Sequence, residues 1–156
     1  MRILFLAVGR LKAPAARALF EDYARRLAWP VEVREVEERR KLPPDRLKAA
    51  EADKLLHALA VLEDAEIRIL ALDEAGESLT STQFAAQLKR WRDDKVRQIV
   101  FVIGGAEGLA DSILARAHLR LSLGRMTWPH QLVRGLLAEQ LYRAQSILAG
   151  HPYHRD

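Results

Sequence analysis

Cysteine is absent from the chain, which removes disulfides, thiol nucleophiles and Cys-ligated zinc together and fits a reducing compartment. Long apolar runs are missing too. The opening stretch Ile3 to Val8 is too short for a signal segment and nothing later approaches membrane-span length, so the expected address is the cytoplasm, with no membrane partner. The histidines show no His-x-x-x-His pair, and no Asp or Glu cluster accompanies them at ligand spacing, so no metal is expected. No Ser stands in a nucleophile-elbow setting, which leaves Ser-His-Asp hydrolysis unsupported. Pro-, Gly- or Ser-rich linkers, repeats and low-complexity segments are also lacking.

What the chain does have is arginine: 19 of its 25 cationic residues are Arg, and the net charge is +4. A guanidinium offers a planar fork of donors suited to phosphate, although Arg richness also follows from genome composition or thermal adaptation. A length of 156 residues suits one domain able to bury its own core, and residues 1–156 are read as that single domain.

Five apolar runs of strand length (Ile3 to Val8, Val31 to Val36, Ile67 to Leu72, Ile99 to Ile103 and Leu119 to Leu123) alternate with helical patterns. That order predicts an α/β fold built on a parallel sheet. Arg2 to Val8 and Gln98 to Ile103 are almost continuously apolar, as central strands covered on both faces should be, whereas Val31 to Val36 largely alternates and belongs nearer an edge. Pro14 opens a helix to about Leu27, Asp45 caps one to about Leu62, and Ser81 one to about Arg92. The last helix, His130 to Ala149, carries a wide apolar stripe that includes Leu132, Leu137 and Leu141, with Arg134, Glu139 and Arg143 outside its centre. The charged run Glu35 to Lys41, followed by Pro43 and Pro44, reads as an exposed loop.

Three strand-to-helix loops converge on one sheet edge, where open α/β sheets place their ligand crevice. Ile103-Gly104-Gly105-Ala106-Glu107-Gly108 follows the most apolar strand but matches neither a dinucleotide fingerprint nor a P-loop. Leu72-Asp73 follows another strand, and Leu123-Gly124-Arg125-Met126-Thr127-Trp128 the last. Leu72, Leu123, Met126 and Trp128 would wall a flat ring; the plain alternative is that Met126 and Trp128 are core or staple residues. The chain closes on His151-Pro152-Tyr153-His154-Arg155-Asp156. So many proton-transfer and phosphate-contacting groups suggest a tail folded over a site; a solvated polar end is the alternative.

The segments Val8-Gly9, Leu72-Asp73, Ile103 to Gly108, Thr127 to Arg134, Glu139 to Ala144 and His151 to Arg155, in this order, resemble the large-subunit ribosomal RNA methyltransferase H family of the SPOUT superfamily. The resemblance runs essentially from end to end. It implies a SPOUT fold with a C-terminal deep trefoil knot, and an S-adenosylmethionine-dependent enzyme that methylates N3 of a pseudouridine in 23S ribosomal RNA on the assembled ribosome. It also implies a homodimer. By motif, Leu72, Gly104, Gly105 and the run Leu123, Gly124, Arg125, Met126, Thr127 and Trp128 would hold the cofactor. Ala106 stands where many members have Pro, and Gly124-Arg125 replaces small residues. For the chemistry, His154 is the candidate to assist loss of the imide proton, with Tyr153 and Arg155 stacking on or orienting the base and its phosphates. A structural His154, with water taking the proton, is the alternative. Arg134 and Arg143 are read as phosphate or intersubunit groups, or as salt-bridge partners of Glu139. Two rival readings share these motifs: a related enzyme acting on another RNA, and a non-catalytic ribosome-binding module.

Overall fold

The computed structural model describes residues 1–62 and 66–154. Five parallel strands form one sheet in the order β2-β1-β4-β3-β5, with β1 at Arg2–Val8, β2 at Val31–Val36, β3 at Ile67–Ser78, β4 at Gln98–Ile103 and β5 at Leu119–Ser122. Helices α1 (Pro14–Arg26), α2 (Pro44–Ala60), α3 (Ser81–Asp93), α4 (Asp111–Leu114) and α5 (His130–Leu148) connect and cover them.

Side chains alternate between the faces of β1 and β4, and both faces are dry. Ile3, Phe5, Ala7, Ile99, Phe101 and Ile103 point toward α1, α3 and α5, while Leu4, Leu6, Val8, Val100 and Val102 point toward α2 and α4. This double burial is the physical source of the unbroken apolar runs. β2 has only one neighbouring strand, and its alternating residues leave Val33 41% exposed.

The helix starts differ in detail from the expectation. At α2 the N-cap is Pro43 and no side chain caps it; Asp45 lies inside the first turn, because the Pro43-Pro44 pair fixes the entry dihedrals. At α3 the cap is Thr80, one residue before Ser81, in a reciprocal box with Gln83. β3 runs past Leu72 to Ser78, since its pairing with β5 resumes after a bulge, Leu72 and Glu77 both lying opposite Leu121. Gly76 permits this approach: a Cβ there would meet the Arg120 carbonyl carbon at 2.7 Å. The charged run after β2 is also less open than expected, for Glu38 is nearly buried against Arg40 and Lys54.

On α5 the apolar stripe needs one larger correction. Arg134 is 1% exposed and Leu132 is 37% exposed, so the cation is inside and the leucine outside. Gly135 lets α1 approach closely, a Cβ at that position falling 2.7 Å from Leu19 Cδ2.

Candidate active site

The strand order brings Leu72, Asp73 and Glu74 of β3 together with the C-terminal ends of β4 and β5, and these with the loops after β4 and β5 enclose a cavity of about 730 Å³. Its walls mix apolar groups (Leu72, Leu123, Met126, Trp128, Val133) with the glycine turn after β4 and the side chains of Lys48, Asp73, Glu74 and His130. The glycine turn is tight. A Cβ on Gly104 would sit 2.7 Å from the Gly108 carbonyl carbon, and Gly108, at φ +72°, donates its amide to Gly105 O at 3.1 Å. Only a residue without a side chain fits position 104, which leaves backbone amides and carbonyls as the turn's face toward a ligand. After β5, Ser122 Oγ donates to Gly124 O at 2.9 Å and accepts from Gly124 N at 3.2 Å, fixing that glycine at φ +124°. Arg120 Nε donates to Asp73 Oδ2 at 2.9 Å, tying β5 to the middle of β3.

Two α5 residues fasten the turn after β1 beside this cavity. Gln131 accepts from Lys12 N at 3.0 Å and donates to Arg10 O at 2.9 Å. Arg134 donates to Gly9 O at 2.5 Å, to Val8 O at 3.3 Å and to Glu35 Oε1 at 2.5 Å. Burial works against the charge on Glu35, but the Arg134 hydrogen bond and the Leu11 amide outweigh it and hold the carboxyl below its usual range. Arg134 is therefore an internal clamp and is closed to phosphate.

The C-terminal tail lies elsewhere. Gly150, at φ +66°, ends α5 in a Schellman turn, with Gly150 N donating to Ile147 O at 3.1 Å and His151 N to Ser146 O at 2.9 Å. The chain thereby folds back onto α1 and α5. Tyr153 packs edge-on to Tyr142 at 4.7 Å and donates its hydroxyl to Glu139 Oε1 at 3.1 Å, with the Tyr23 hydroxyl 3.2 Å away. Burial, the Tyr23 hydrogen bond and the Glu139 carboxylate push the Tyr153 phenol well above its ordinary pKa. Arg143 pairs with Glu139 at 2.5 Å, stands 4.9 Å over the Tyr153 ring and reaches His154 Nδ1 at 3.5 Å.

Eight of the nine residues read as cofactor-binding line the cavity: Leu72, Gly104, Gly105, Leu123, Gly124, Met126, Thr127 and Trp128. Arg125 does not; it is exposed. Met126 and Trp128 are 75% and 42% exposed, so neither is a core residue. Tyr153 and His154 come together on α5 but are not among the lining residues, and Arg155 lies outside the described residues. Lys48 reaches the cavity from α2, a placement that no local motif announced. Among the described residues no three His, Asp or Glu side chains gather into a metal-binding group, and no helix is long and apolar enough to cross a membrane.

A family model described as "Predicted SPOUT methyltransferase" matches residues 1–154. The chain belongs to the SPOUT methyltransferase family. Within it, proteins of Rhodospirillum centenum and Paramagnetospirillum magneticum, both named ribosomal RNA large subunit methyltransferase H, are each 53% identical to this chain, over 99% of both lengths. The fold is shared with a probable methylase family protein of Haemophilus influenzae, at TM-score 0.61 and 11% identity over 99% of this chain and 70% of that one. It is shared also with a probable methyltransferase of Bordetella pertussis, at TM-score 0.59 and 16% identity over 92% and 95% of the two chains. This SPOUT chain thus carries its family's α/β sheet with a cavity at the strand ends.

Proposed function

We propose that the protein is an S-adenosylmethionine-dependent methyltransferase acting on N3 of a pseudouridine in 23S ribosomal RNA of the assembled ribosome, as a homodimer in the cytoplasm. The observation that carries the reading is the cavity between the middle of β3 and the loops after β4 and β5, closed on one side by a glycine turn that admits no side chain at position 104. The relatives named as large-subunit ribosomal RNA methyltransferases, alike in length, support the substrate class. The C-terminal deep trefoil knot belongs to the same proposal.

The cavity residues fit such a cofactor. Leu72, Leu123, Met126 and Trp128 provide flat apolar walls for an adenine, while the amides and carbonyls of Gly104, Gly105 and Gly124 serve its polar edges. When bound, S-adenosylmethionine supplies a methyl group activated on a sulfonium. The protein's own task is to align the pseudouridine N3 with that methyl and to accept the imide proton. His154 is assigned that proton, with Tyr153 and Arg155 orienting the base. Because Tyr153 and His154 do not line the cavity of their own chain, the homodimer reading gives them their place: one chain's tail lies at the cavity of its partner. Exposed Met126, Trp128 and Leu132 beside the cavity offer apolar surface for that contact.

The deciding experiment is methyl transfer from labelled S-adenosylmethionine to whole ribosomes, separated subunits and free ribosomal RNA, with the product nucleoside identified by mass spectrometry. Label in N3-methylpseudouridine on assembled particles is expected. Cofactor binding without label would point to another RNA, and absence of both to a non-catalytic module.

A further inference from the structure

One ionisable side chain that the methyl-transfer reading leaves idle lies directly beneath the glycine turn. Glu51, on the inward face of α2, is 9% exposed; its Oε2 is closed to solvent and has no hydrogen-bond partner among the described residues. The carboxyl lies beside Gly105, where a Cβ would fall 3.1 Å and 3.2 Å from its two oxygens and 3.1 Å from Val8 Cγ1. Gly105 itself lines the cavity. A buried polar group without a partner calls for a physical explanation. Here the cavity lies just across one backbone turn from it.

The charges around Glu51 are mainly of one sign. Burial comes first, then the carboxylates of Glu107 on the turn and Glu38 after β2, and together they hold the Glu51 carboxyl above its ordinary range. Glu38 is itself paired with Arg40 and Lys54, and Lys48, one turn before Glu51 on α2, lines the cavity. The carboxyl therefore keeps its proton more readily than an exposed one, and a positive charge across the turn would favour its release.

We propose that Glu51 is a charge-sensing positioning residue: it releases its proton to solvent when a cationic ligand occupies the cavity, and so favours the sulfonium form of the cofactor over the neutral thioether left after transfer. The inference rests on the S-adenosylmethionine reading above. Both forms carry the same ammonium and carboxylate, so their difference isolates the sulfonium charge. In the ionised state the Glu51 carboxylate attracts that charge; once the methyl is gone the attraction is gone, and the spent cofactor is held less tightly.

Calorimetric titration of the full chain with S-adenosylmethionine and with its demethylated thioether, in buffers of equal pH but different ionisation enthalpy, counts the protons exchanged by each. Repeated over a series of pH values from acid to neutral, the titration is expected to show the sulfonium releasing more proton than the thioether over the interval in which the Glu51 carboxyl titrates. Preference for the sulfonium over the thioether should rise roughly threefold or more from the acid to the alkaline side of the Glu51 titration. Glu51→Gln, equal in shape but without a proton to lose, is expected to abolish both effects while still binding both ligands. Equal proton counts at every pH of the series in the unmodified protein, a measurement that needs no variant to fold, would overturn the inference alone, as would a difference that survives in Glu51→Gln. Failure to bind either ligand would overturn the cofactor reading and this inference with it.

Discussion

Replacing Arg134 by Met keeps an unbranched side chain of similar length and deletes the whole clamp. Three hydrogen bonds are lost: to Glu35 Oε1 and Gly9 O at 2.5 Å each, and to Val8 O at 3.3 Å. Removing one partner of a buried ion pair costs about 3–5 kcal/mol. Glu35, however, is 31% exposed and keeps the Leu11 amide at 2.9 Å, so water and that amide recover part of the loss. We expect about 2–3 kcal/mol after that discount for solvent. At roughly 2–4 °C per kcal/mol for a chain of this size, the melting temperature should fall by about 4–12 °C. Arg134→Lys should recover less than half, because one ammonium cannot span Glu35 and the two carbonyls together. Calorimetric melts of Arg134→Met, Glu35→Gln and the double variant close a cycle, in which the double variant should be less damaged than the sum of the singles by about 1 kcal/mol or more. A fall below about 2 °C in Arg134→Met, less than 1 kcal/mol on the same scale, or strict additivity, would refute the clamp.

Gly104→Ala forces a Cβ to within 2.7 Å of the Gly108 backbone; an overpacking cost of about 1–3 kcal/mol at the turn should lower S-adenosylmethionine affinity by roughly tenfold or more in calorimetry, and undiminished affinity would remove the turn from the site. His154→Ala should reduce the single-turnover methylation rate by about a hundredfold or more with cofactor affinity intact, as a general base requires, and a slight loss would leave water as the proton acceptor. Acid should destabilise the fold through Glu35 and Glu38, the latter held down at about 2 by its hydrogen bonds with Arg40. Both carboxyls are depressed on folding, so their contribution is complete above the ordinary carboxylate value and is lost as pH falls from there toward about 2; Glu38→Gln should flatten the melting temperature over that interval.

The architecture was legible where one residue type answers one physical demand. Strands wet on neither face must be apolar at every position, and β1 and β4 announce themselves for that reason, as edge strand β2 does by alternating. The cavity was legible from the turn after β4 and the loop after β5, whereas Leu72 and Asp73, expected to follow a strand, lie inside β3. Features that depend on distant partners were not. Arg134 reads as a surface cation on a helical wheel, yet its partners lie 99 to 126 positions earlier. Tyr153 meets Tyr23 across 130 positions, and nothing in the tail's own sequence predicts that partner. The late return of β3 to β5 hinges on Gly76, four residues past the strand end expected at Leu72. Helix α4, only four residues long, is too brief for any periodicity to show.

The bonds from Gln131 and Arg134 to the turn after β1 have a consequence for the nascent chain. They join the first strand to the start of the last helix across 119 to 126 positions, so during synthesis that turn is made long before anything can hold it. α1 must likewise wait for α5, the helix it packs against. Pairings so distant are made slowly, after loop closure has been accomplished. While α5 is still within the ribosome that makes it, the cavity lacks His130, Val133 and the clamp behind them. The cavity is thus incomplete until α5 has emerged and packed, however early the strands pair.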